Sequence, residues 1–73
     1  MNYIKDKNGR IVGRIMPSDN NTKKAYDATG AFVGVYNEST DITMDSAGRV
    51  HAYGNTLADL IFENAYWPKL HLN

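Results

Sequence analysis

His51 and His71 are the only imidazoles of a 73-residue chain that has no cysteine. A metal site or an acid–base pair built on them would require the fold to bring both together, and no H-E-x-x-H spacing or thiolate accompanies them. Disulfides, thiolate zinc sites and cysteine nucleophiles are excluded outright. His51 is expected in a turn or on a strand face, and His71 in an edge segment. Asp59 and Glu63 could project from one side of a helix as a carboxylate pair, or equally solvate its outer face. Ser18, Ser39 and Ser46 lie in turn-like stretches without a G-x-S-x-G setting, and no glycine cluster reads as a phosphate loop. The expectation is a non-enzymatic chain without metal or cofactor.

The elements that carry these residues are marked by D-x-x-G, which occurs at Asp6–Gly9, Asp27–Gly30 and Asp45–Gly48. Aspartate at the first position of a type I turn accepts from a backbone N–H, and glycine at the fourth takes the left-handed conformation that a G1 bulge requires. Each copy is therefore expected to fold a hairpin. Calcium is the competing ligand chemistry, but each turn has a single carboxylate and no downstream bidentate glutamate.

After each turn the residues alternate with the period of a strand. Ile11, Gly13 and Ile15 are expected on one face, with Val12 and Arg14 on the other; Phe32, Gly34 and Tyr36 take the first face in the second copy. Gly13 and Gly34 lie mid-strand, where glycine marks a bulge or a close backbone approach. A crowded axis shared by the hairpins is the expected cause. In "GNTLADL", residues 54–60, Ala58 stands in the place of Gly13, and "HAYG" would be a fourth turn with His51 in the aspartate's place. The same stretch also suits a helix capped by Thr56, with Asp59 three residues on and Leu57, Leu60 and Ile61 on one face. The repeat favours strand.

The reading is one all-β domain over residues 1–73: three or four antiparallel hairpins around a common axis, with copies near 3–16, 25–37 and 42–61, a tail at 62–73 and room for a short C-terminal helix. "PSDNNTKK" and "NESTD" are polar connectors between copies. At this length a single core buries only about 60% of the unfolded surface, so good packing or association must help.

"DKNGRIVGRI", "YDATGAFVGVY" and "DSAGRV" with "GNTLADL" resemble bacterial hairpin-repeat proteins grouped as four-fold beta-flower-like domains. The resemblance covers roughly residues 3–61 and implies short D-x-x-G hairpins packed about a central axis, with no established activity. "AYDATGAFVG" also looks like the tyrosine-aspartate repeats of bacterial surface and toxin-shell proteins, which implies a structural or sugar-contacting role.

Eight basic residues balance eight acidic ones, so no global field gathers nucleic acid, and neither a signal peptide nor a membrane span is legible. A cytoplasmic chain without nucleic-acid or membrane partners is the expectation. Tyr66, Trp67 and Leu70 have no place in the repeat. With Tyr53 they are the interface or ligand candidates, since tyrosine and tryptophan suit surfaces where a ring is covered and its polar edge finds a partner. An intramolecular cap on the sheet is the alternative for that tail. The partner expected is the chain itself or another protein, and the competing function is sugar or small-ligand binding by exposed Tyr and Trp.

Overall fold

The computed structural model describes residues 2–66. Six strands and one helix follow in chain order: β1 (Asn2–Lys5), β2 (Ile11–Pro17), β3 (Thr22–Asp27), β4 (Phe32–Asn37), β5 (Ile42–Asp45), β6 (Val50–Tyr53) and α1 (Leu57–Tyr66). All strands belong to one antiparallel sheet in the order β1-β2-β3-β4-β5-β6. The expected small all-β domain of repeated hairpins forms, with three copies and a helix.

The three D-x-x-G turns close as their chemistry dictates. In each, the glycine N–H donates to the aspartate carbonyl at 3.0 Å, and the aspartate N–H donates to the carbonyl of the residue after the glycine at 2.9 Å. Gly9, Gly30 and Gly48 hold φ values of 82°, 93° and 83°, the left-handed region open to glycine without a Cβ penalty. Only residues 18–21 of "PSDNNTKK" connect β2 to β3, since Pro17 ends β2 and Thr22, Lys23 and Lys24 begin β3; residues 38–41 connect β4 to β5. Ser18 N–H donates to Thr22 O and Glu38 N–H to Asn21 O.

Beyond each turn the register slips once. Ile4 pairs with Gly13 but Lys5 with Ile11; Ala25 pairs with Gly34 but Tyr26 with Phe32; Thr43 pairs with Ala52 but Met44 with Val50. The residues passed over are Val12, Val33 and His51, so each hairpin carries a second bulge at the same place. A bulge sets two residues of one strand against a single residue of its partner and interrupts the alternation of faces. Val12 and Gly13 are both buried, as are Val33 and Gly34. This corrects the simple alternation: Ile11 and Phe32 do not share a face with Gly13 and Gly34. They stand 42% and 41% exposed, against 6% and 5% for Val12 and Val33.

Helix α1 lies across the bulged face over β2, β3 and β4. Leu57, Leu60 and Ile61, at helical spacing, complete a core with Val12, Ala25 and Val33. The strand reading of residues 54–60 and the fourth hairpin are thereby overturned: His51 lies within β6, and the third copy ends at Tyr53, not at residue 61. A strand would send Leu57 and Leu60 to opposite faces. The helix buries both.

The crowding at Gly13 and Gly34 comes from α1 and from the carbonyls of Tyr26 and Met44 on the neighbouring strands, not from an axis shared by the hairpins. A Cβ at Gly13 would fall against Ile61, and one at Gly34 against Leu60. The equivalent register position in the third hairpin is Ala52, opposite Thr43. Ala58 lies in α1 and is not a strand close-packing position.

Thr43, fully buried, fixes where the helix begins. Its hydroxyl donates to Gly54 O at 2.7 Å and accepts from Thr56 N–H at 3.1 Å. Asn55 Oδ1 accepts from Leu57 N–H at 3.2 Å, which satisfies one of the helix's unpaired first-turn donors.

Candidate functional site

His51 reaches α1 from β6. Its Nδ1 lies 2.8 Å from Thr56 Oγ1 and its Nε2 3.0 Å from Glu63 Oε2. The Thr56 hydroxyl, expected as a helix cap, is thus engaged by the imidazole. A hydroxyl, an imidazole and a carboxylate in one chain of hydrogen bonds is the constellation that activates a nucleophile. Here, however, the Glu63 side chain is 58% exposed and the histidine 19%, so the carboxylate keeps its solvation, and the group ties β6 to the helix. His51 pairs with Glu63, not with Asp59. His71 lies outside the described residues. Among the described residues no three His, Cys, Asp or Glu side chains are grouped to hold a metal.

Each turn aspartate spends its Oδ1 on its own loop. Oδ1 of Asp6 accepts from Asn8 and Arg10 N–H, that of Asp27 from Thr29 and Ala31 N–H, and that of Asp45 from Ala47 and Arg49 N–H. Donors aimed at a carboxylate favour its charged form. The Arg10 N–H and the Tyr66 hydroxyl hold Asp6 below its ordinary value, the Thr29 hydroxyl does the same for Asp27, and the Arg49 N–H for Asp45. These are structural carboxylates, as the turn pattern implies.

The face of the sheet away from α1 is different in kind. Residues directly opposite across strands point to the same side, so register alone assembles rows. Tyr3, Arg14, Tyr26 and Phe32 form one row across β1 to β4. Met16, Lys24, Val35, Met44 and Val50 form a second across β2 to β6. Thr22, Asn37, Ile42 and Tyr53 form a third. The Arg14 guanidinium sits 5.1 Å from the centre of the Tyr26 ring, which meets Phe32 edge-on at 6.1 Å. A shallow hollow of about 250 Å³ between the second and third rows is lined by Val35, Ile42 and Met44 among others.

Tyr3, Ile11, Phe32, Met44, Val50 and Tyr53 all stand exposed on this face. Of the sequence candidates, Tyr53 belongs here and is 78% exposed. Tyr66 does not: it ends α1, stacks on Phe62 with ring centres 6.2 Å apart and donates its hydroxyl to Asp6 Oδ2 at 2.8 Å. Trp67 and Leu70 lie outside the described residues. Sequence reasoning missed Tyr3, Ile11, Phe32, Met44 and Val50 as a surface, because the one-residue bulges that reassign Ile11, Phe32 and Val50 leave no residue signature, and Tyr3 and Met44 join them only through strand pairing.

Compared with protein-family models, curated proteins and solved structures, the chain matches none.

Proposed function

We propose that this domain is a non-enzymatic interaction module whose working surface is the open face of its sheet. The observation that carries the reading is the collection of six large exposed apolar side chains on the face that α1 leaves uncovered. Such residues scattered singly need no explanation, whereas a contiguous patch marks an interaction surface. Its extent over five of the six strands, with the half-buried Tyr26 and Lys24 of β3 between them, favours a protein surface over a small ligand. Tyr3 and Tyr53 stand on the two edge strands, too far apart to flank one sugar ring. The beta-flower-like resemblance, which implies no activity, is compatible with a binding or structural role.

The test measures solution mass over a wide concentration range together with binding of an apolar fluorescent dye. A face that meets itself raises the mass with concentration; a face awaiting another protein leaves a monomer that binds dye. Either response is expected to disappear in a Phe32→Ser, Met44→Ser double variant with unchanged circular dichroism. A monomer that binds no dye, or a response the double variant leaves intact, overturns the reading.

A further inference from the structure

We propose that the open face receives an acidic amphipathic helix of a partner protein, an inference that rests on the interaction reading and names its partner class. The argument is charge. The chain is neutral overall, with eight basic and eight acidic residues. The open-face strand positions nonetheless carry Lys5, Arg14 and Lys24 and no carboxylate. The acids stand in turns, connectors and α1, and Asp27, which borders a hollow with Tyr3 and Arg14 at the rim, has Oδ1 committed to its own turn. Lys23, on the opposite face from Lys24, has its own partner in Glu38 at 3.9 Å.

Two copies laid face to face would set these cations against one another, which disfavours a second copy as the occupant. A single-stranded nucleic acid fits the charge, but the exposed rings of Tyr3, Phe32 and Tyr53 stand apart on β1, β4 and β6 and form no continuous stacking track. The row from Met16 to Val50 is aliphatic and thioether apart from Lys24 and offers no stacking plane, and the ring of Tyr26 already holds Arg14. Methionines adapt to the side chains of an incoming helix. Five strands spaced by about 4.8 Å make that row about 19 Å long, the length of roughly 13 helical residues. The other face already shows the arrangement, for α1 seats an apolar stripe on the sheet while carrying Asp59 and Glu63 outward.

The probes are a fluorescent 14-residue helix with a leucine stripe flanked by glutamates and a twin with every glutamate replaced by lysine, each titrated with the intact chain. The glutamate helix is expected to bind at least tenfold more tightly, to weaken as salt rises, and to lose that advantage to its twin when Arg14→Glu and Lys24→Glu are introduced together. Phe32→Ser with Met44→Ser is expected to abolish binding of both. Equal binding of the twins overturns the acidic-helix assignment and leaves the interaction reading standing. So does concentration-dependent association through the same face with neither helix bound, or tighter binding of a thymidine oligonucleotide or of anionic vesicles. A chain that binds no helix and no dye and stays monomeric sinks both.

Discussion

Gly13 lies directly beneath Ile61: a side-chain carbon at Gly13 would stand 2.6 Å from Ile61 Cγ2 and 2.5 Å from the Tyr26 carbonyl oxygen. The second of these is backbone, which cannot swing away. Gly34 meets Leu60 and the Met44 carbonyl in the same manner. Gly13→Ala and Gly34→Ala are each expected to cost about 1–3 kcal/mol by overpacking. A domain this small holds only about 3–5 kcal/mol in its core, so a large fall in the urea midpoint should follow. Unchanged midpoints for both variants would show that α1 does not press on these strands.

Thr43 makes a different kind of junction. Its hydroxyl serves Gly54 O and Thr56 N–H at once, at full burial. Thr43→Val keeps the shape and strips both hydrogen bonds, leaving two backbone groups of the β6–α1 turn without their partner. A loss of about 1–3 kcal/mol is expected, with the helical circular-dichroism signal melting before the strand signal. Thr43→Ser retains the hydroxyl and should recover most of the helix. A valine variant as stable as the parent would mean that the hydroxyl does not set the helix start.

Acid should loosen the hairpins from their turns. Asp6, Asp27 and Asp45 are held below the ordinary value of 3.8 by donors from their own loops and, for Asp6, also by the Tyr66 hydroxyl. A carboxyl whose folded value is depressed binds its proton more readily in the unfolded chain. Its contribution is therefore fully present above pH 3.8 and is lost as pH falls through the lower folded value. Stability measured by urea melts is expected to be flat from neutral pH down to about pH 5 and to fall below pH 4. Replacing all three aspartates by asparagine should shrink the acid limb to the share of Asp19, which the Asn21 N–H and the Thr22 hydroxyl also hold low. A triple variant with the same acid limb would assign it to other carboxylates.

The turns were legible because D-x-x-G is local: the aspartate, the donors and the glycine lie within five residues of one another. The bulges were not. Nothing in "RIVG" or "AFVG" announces that Val12 and Val33 are passed over in pairing, yet that single slip moves Ile11 and Phe32 to the open face and brings Val12 and Val33 under the helix. The same slip hid the third copy. Spacing on glycines leads to Gly54 and Ala58, whereas the register leads to His51 and Ala52, with "DSAGRVHAY" as the full equivalent of "DKNGRIVGR". Residues 54–60 satisfy a strand repeat and, together with Ile61, a helical stripe in sequence. Tertiary burial of Leu57, Leu60 and Ile61 together decides for the helix. The contact between Tyr66 and Asp6 spans 60 residues and has no local sign.

His51 occupies in the third hairpin the place that Val12 and Val33 occupy in the first two, which makes the three positions a test of what that place demands. Its hydrogen bonds run to Thr56 and to an exposed Glu63. A side-chain contact to a solvent-exposed carboxylate is worth roughly 0.2–1 kcal/mol, whereas valine at the bulge gains apolar burial against α1. His51→Val is accordingly expected to leave stability within about 1 kcal/mol of the parent. Val33→His is expected to cost more, about 1–3 kcal/mol, because Val33 is buried in the apolar core and an imidazole there lacks the partners that Thr56 and Glu63 give His51. Glu63→Gln separates charge from contact: a loss that vanishes at high salt assigns the link to the ion pair, while a salt-independent loss assigns it to the hydrogen bond. If His51→Val unfolded the chain and Val33→His did not, the equivalence of the three bulges would be wrong, and the histidine would be the residue that the third hairpin cannot do without.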